Sequence, residues 1–131
     1  MSTQALFDSR GSHKRLLLIN SSILTAYGLY RYEPLTAEAA RCLVAEAQRA
    51  GDDICSAVGH HSTAVLMSRL LGIVVPASRI AVEQAVGERA IVFRLNRRPP
   101  EGAILSEAQL EAIGYELGLL TRLADEGAEP G

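Results

Sequence analysis

Histidines, hydroxyls and a glycine crowd one short stretch, Ser56-Ala57-Val58-Gly59-His60-His61-Ser62-Thr63-Ala64, directly ahead of the apolar run VLMSRLLG. A run of this kind, closed by Gly72, reads as a helix, so the polar stretch is its start. The first turn of a helix leaves backbone N–H groups without intrahelical acceptors and carries the positive end of the dipole. Such a turn attracts anions before any side chain is counted. Gly59 has no side chain to keep a phosphate away from the backbone. Ser62 and Thr63 add hydroxyl donors, and a histidine, His60 or His61, moves a proton near neutral pH. Plain capping by Ser56 or Ser62, with both histidines at the surface, is the alternative the same residues allow.

Two further segments carry chemistry. In FRLNRRPPEG, Arg94, Arg97 and Arg98 stand close together ahead of Pro99-Pro100, Glu101 and Gly102. The prolines fix φ and stiffen the chain, which presents Arg98 and Glu101 on a firm loop. Arginine is the side chain best shaped for bidentate contact with phosphate, although a solvated charged turn has the same composition. Asn20-Ser21-Ser22 follows the first apolar run, a place where loops of open sheets hold ligands; an ordinary polar turn fits too. Metal chemistry is disfavoured. His60 and His61 are adjacent, about 100° apart around a helix, and no Asp, Glu or Cys cluster completes a ligand set. No metal and no cofactor is expected.

These residues need elements to position them. RLLLINS (15–21) has the short, continuous apolar character of a buried strand. SILTAYGLYRYEPL, punctuated by Gly28 and Pro34, reads as a long loop. Thr36 caps a helix over AEAARCLVAEAQRAG, with Ala40, Leu43, Val44 and Ala47 on its apolar face and Gly51 at its end. ICSAV (54–58) is a short strand or an irregular approach to the helix that runs to about Leu71. RIAVEQA and RAIVFRLN flank Val86-Gly87-Glu88 as the arms of a β-hairpin. Ser106-x-x-Gln109 is a capping box opening a short helix through Ile113, and YELGLLTRL (115–123) alternates as a final strand. The expectation is a single α+β domain, with a mixed, mostly antiparallel sheet of about five strands and helices packed on one face.

The bulk composition limits the partners. The chain has 131 residues, 48% of them hydrophobic, enough for one core. A net charge of −2 provides no global basic field for long nucleic acid. Cys42 and Cys55 have no metal or redox spacing, which fits a reducing cytoplasm. No apolar run approaches a membrane span, and the N-terminus lacks the layout of a signal peptide. Residues 1–13 and 124–131 have the composition of disordered ends, leaving 14–123 as the folded unit.

The order LINSSIL, SAVGHHSTAVLMSRLLG, VPASRI, FRLNRRPPEG and IGYELGLL resembles the small ring nucleases of type III CRISPR biology, which occur as viral anti-CRISPR proteins and as cellular relatives. The resemblance spans about 15–123. It implies a homodimeric enzyme that binds cyclic tetra-adenylate and cuts it, without metal, into short linear adenylates; attack by the ribose 2′-hydroxyl would leave 2′,3′-cyclic phosphate ends, and two sites on a symmetric dimer would make di-adenylates the main product. By the same resemblance the catalytic histidine falls on His60, the arginine and glutamate before the turn glycine on Arg98 and Glu101, and the serine after the first strand on Ser22, or on Ser21 given variable loop length. Asn20, Gly59, Ser62, Thr63 and Arg97 complete the expected substrate contacts. The chain departs from the pattern at His61, at Arg97, which duplicates Arg98, and in its N-terminal extension. A binding-only sink for the messenger and a protein-interaction module are the rival classes.

Overall fold

The computed structural model describes residues 15–20, 26–97 and 105–125. Five strands, β1 (Arg15–Ile19), β2 (Gly28–Leu35), β3 (Asp53–Ala57), β4 (Arg89–Leu95) and β5 (Tyr115–Asp125), form one sheet in the order β2-β5-β4-β1-β3. The helices are α1 (Ala37–Ala50), α2 (His61–Leu71) and α3 (Glu107–Ile113). β1 pairs parallel with β3 and β4, whereas β5 pairs antiparallel with β4 and β2. The domain is therefore α+β with a mixed sheet, as its pattern of elements predicts.

Each helix ends where its sequence says it should. The Thr36 side chain accepts from the Ala39 N–H, and Gly51 closes α1 in the left-handed conformation at φ 78°. Ser106 and Gln109 form the reciprocal capping box of α3. Gly72 closes α2 at φ 75°. Ala40, Val44 and Ala47 of α1, Ala64, Leu66, Met67 and Leu71 of α2 and Leu110 of α3 are buried against Leu16, Leu18, Ile91, Phe93 and Leu117 of the sheet. Removing that apolar surface from water is the main force holding helices to sheet.

Three sequence expectations fail. The final strand does not stop at Leu123, because β5 continues to Asp125, where Ala124 and Asp125 pair with Leu29 and Gly28 of β2. The supposed loop over 22–35 contains β2, an edge strand. Pro34 and Gly28 look like punctuation, but an edge strand tolerates a proline whose missing N–H would face outward. Tyr30 and Tyr32 supply the alternation that marks the strand. Conversely, RIAVEQA is not a hairpin arm. The turn at Gly87 is real, with φ 89° and a Glu88 N–H to Ala85 carbonyl bond of 2.9 Å, but residues 79–85 form no strand.

Those residues instead make a strap, 76–88, across the sheet face opposite the helices. Val82 packs there on a second apolar cluster of Leu17, Ala90, Val92 and Leu120. The Gln84 side-chain amide donates to the carbonyls of Glu88 (2.6 Å) and Leu120 (2.8 Å). Ile80, half exposed, faces away. Alternation of Ile80 and Val82 is therefore genuine, but it reflects a segment lying on a sheet rather than in one.

Candidate functional site

The parallel strands decide where the chemistry gathers. Ile19 of β1 is in register with Ala57 of β3 on one side and Val92 of β4 on the other. The chain leaving β1 enters Asn20, the chain leaving β3 enters Gly59 and His60, and the chain leaving β4 enters Asn96 and Arg97. All three exits lie at the same edge of the sheet, with β1 in the middle. This carboxyl edge is where open sheets with parallel strands present ligands.

The start of α2 at this edge is uncapped. His60 occupies the N-cap position in extended conformation, φ −118° and ψ 130°, and its side chain makes no capping bond. The first intrahelical bond runs from the Ala64 N–H to the His60 carbonyl at 3.0 Å. The N–H groups of His61, Ser62 and Thr63 therefore precede the helical ladder, with no acceptor for them among the described residues.

The capping alternative does not hold. Ser56 is buried; its hydroxyl donates to the Pro76 carbonyl at 2.7 Å and accepts from the Val58 N–H at 3.3 Å. Ser62 lies inside the first turn. Both histidines are exposed, whereas Thr63 as a whole is buried, 6% exposed.

Beside this turn stands a residue that the sequence reading left out of the site. Arg79 lies on the strap, and its Nε donates to the Gly59 carbonyl at 3.1 Å. The backbone supports this placement, because the Ser78 N–H bonds to the Val58 carbonyl at 2.8 Å. Gly59 matters here for space rather than for left-handed backbone. A Cβ at Gly59 would come within 3.3 Å of the Arg79 Cγ. The signal for Arg79 was present in VPASRI, but reading the segment as a hairpin arm took it away from the helix start.

Arg97 is exposed two residues beyond β4, and Asn20 is half-buried just beyond β1. Arg94, grouped with Arg97 in the sequence, is instead paired across strands with Glu116 at 3.0 Å. Ser21, Ser22, Arg98 and Glu101 lie outside the described residues. Among the described residues, no three His, Cys, Asp or Glu side chains assemble as a metal-ligand set.

The strap is anchored at its far end by charge. Arg15 grips Glu88 with both Nε and Nη2 at 2.7 Å and also donates to the Glu83 carbonyl at 3.1 Å. Burial pushes the Glu88 carboxyl up, but the Arg15 hydrogen bonds, the Ala85 N–H and the Arg15 charge outweigh it, leaving the group below the usual carboxylate range. The bond to Glu88 correspondingly raises Arg15.

Comparison with known proteins bears on the fold and the family. A family model described as STIV B116-like matches residues 16–117. The chain belongs to the STIV B116-like family. ORF117 of Acidianus two-tailed virus is 36% identical over 95 residues, covering 72% of this chain and 79% of that protein. YddF of Bacillus subtilis is 32% identical over 108 residues, covering 82% of this chain and 97% of YddF. Both are described as uncharacterized. The solved structure of B116 from Sulfolobus turreted icosahedral virus superposes with a TM-score of 0.63 at 19% identity, covering 82% of this chain and 99% of that one, a likeness of fold. No helix among the described residues is long and apolar enough to cross a membrane.

Proposed function

We propose that this protein is a metal-independent ring nuclease that binds cyclic tetra-adenylate and cleaves it to linear di-adenylates, ending type III CRISPR signalling. The observation that carries this reading is the uncapped start of α2, with open amides and Arg79 beside them, at the edge where β1, β3 and β4 all end. A phosphodiester fits there: amides and a guanidinium meet its oxygens, and a histidine stands at the cap. The motif resemblance supplies the substrate. Relatives in archaeal viruses and in a bacterium accord with a family having both viral and cellular members.

The chemistry needs no protein nucleophile. The ribose 2′-hydroxyl attacks the adjacent phosphorus, the P–O5′ bond breaks, and a 2′,3′-cyclic phosphate and a 5′-hydroxyl result. The 2′-hydroxyl loses its proton to solvent, and His60 as imidazolium gives one to the departing 5′-oxygen. The amides of α2, Arg79 and Arg98 stabilise charge on the phosphoryl oxygens. Glu101 orients His60, and Ser22 and Asn20 orient the ring. A homodimer supplies two such sites to a pseudo-two-fold ring, and a cytoplasmic location goes with this role.

Incubation with cyclic tetra-adenylate in EDTA, with products resolved by chromatography, tests the proposal. Linear di-adenylate supports the enzyme. An intact ring retained by the protein indicates a sink, and absence of binding rejects both.

A further inference from the structure

The most deeply buried charge among the described residues lies far from the candidate site. Arg122 of β5 is 7% exposed, yet it meets one carboxylate, that of Asp125, at 3.0 Å, and the Asp125 side chain is 74% exposed. Its other partners are backbone carbonyls from segments remote in sequence. Nη1 donates to Gln84 of the strap at 2.6 Å, and Nη2 donates to Tyr27 at the entry to β2 at 3.0 Å. Among the described residues nothing accepts from Nε, and the guanidinium stands 5.9 Å from the Tyr30 ring centroid. Space for it depends on Gly28, where a Cβ would fall 2.6 Å from the Ala124 carbonyl oxygen and 3.2 Å from Arg122 Nε.

Stability alone is a poor reason for such a residue. Desolvating a guanidinium is costly, and well-packed apolar replacements of buried charges are often neutral or stabilising. What a planar fork adds is direction, because it fixes two carbonyls at set positions, whereas apolar contact does not discriminate orientation. One of those carbonyls, Gln84, lies five residues along the strap from Arg79. Arg79 in turn reaches the Gly59 carbonyl.

We propose that Arg122 is a positioning residue for the α2 site: by gripping the Gln84 carbonyl it sets the register of the strap and so holds Arg79 beside the helix start. For its effect on ligand the proposal rests on the ring-nuclease reading; for its effect on the strap it does not. Arg122 touches no candidate ligand group and acts through Arg79.

The experiment compares wild type, Arg122→Met, Arg79→Ala and the double variant by cyclic tetra-adenylate binding and single-turnover cleavage, with hydrogen exchange of 76–88 measured without ligand. Arg122→Met is expected to fold, to exchange the strap amides about tenfold faster while α1 and β1 are unchanged, and to bind the ring about tenfold more weakly with a smaller change in saturated rate. The double variant is expected to bind no worse than Arg79→Ala, since both changes remove one contribution. Additive losses, or unchanged strap exchange, would overturn the proposal. Should the wild type neither bind nor cut the ring, the nuclease reading fails and strap exchange alone decides this one. Should Arg122→Met not fold, Arg122→Lys, which keeps the charge but loses the fork, is measured in its place. Failure of both to fold shows a purely structural residue and also overturns the proposal.

Discussion

Arg79 Nε lies 3.1 Å from the Gly59 carbonyl, joining a strap on one sheet face to the first turn of a helix on the other. The two residues are 20 apart in sequence, and both sit at the sheet edge where a phosphate would meet the α2 amides. Replacing Arg79 with Ala should weaken cyclic tetra-adenylate binding by about 10- to 100-fold, the scale of a lost charge-assisted hydrogen bond. Isothermal titration calorimetry of the variant checks this, and unchanged affinity would remove Arg79 from the site.

Gly59→Ala tests the same contact from the other side. The added methyl would press on the Arg79 stem at 3.3 Å, a distance a flexible side chain relieves by shifting. Folding should survive, with thermal unfolding near wild type, while ring affinity drops several-fold, in roughly the direction of Arg79→Ala. Loss of folding instead would mean that the backbone at this position cannot accept a side chain.

His60 and His61 should behave differently. His60 holds the N-cap position in extended conformation, whereas His61 is the first helical residue, so the two side chains leave the backbone in different settings. His60→Ala should cut single-turnover cleavage by about 10²- to 10⁴-fold while the ring still binds. His61→Ala should change the rate far less. An inactive His61→Ala beside an active His60→Ala would transfer the role to its neighbour.

Arg98 and Arg97 are separable by the same assays. Arg98→Ala should impair binding and cleavage together, and Arg97→Ala should do less. Glu101→Gln should lower the single-turnover rate, because the general acid then loses the carboxylate that orients it. If Arg97 dominates, the placement of the turn is off by one residue.

Acid should loosen the strap. Glu88 has a carboxyl held below its ordinary value by Arg15, so the pair contributes stability that is fully present above the unfolded-state value. That contribution fades as pH falls through the lower, folded-state value. Glu88→Gln should cost about 1–3 kcal/mol at neutral pH and flatten the fall in stability below the ordinary carboxylate range. Urea unfolding of both proteins across acidic pH measures it; equal pH slopes would show that Glu88 does not carry the linkage.

The sequence made the helices legible because their boundaries are local chemistry. Thr36, Ser106-x-x-Gln109, Gly51 and Gly72 each do at short range what their types predict. Strand neighbours were less legible, since Ile80 and Val82 alternate equally well on a sheet surface as within a ladder. Tyr30 and Tyr32 were masked by Gly28 and Pro34, whose roles depend on β2 being an edge. For the site, the helix start with Gly59 and the exits from β1 and β4 were visible as motifs. Arg79 was visible as part of VPASRI, but its place beside Gly59 was not, because that relation is created by a crossing that no short-range pattern encodes.

Strand polarity sets a condition on any assembly that shares one ligand. A two-fold that lengthened the sheet by pairing β2 with its copy, or β3 with its copy, would run the mates in opposite senses. The two Gly59–His60 corners would then point to opposite poles of the particle, out of reach of one small ring. An axis running with the strands turns both corners toward the same pole, so that copies meeting face to face, rather than rim to rim, can close on a common molecule.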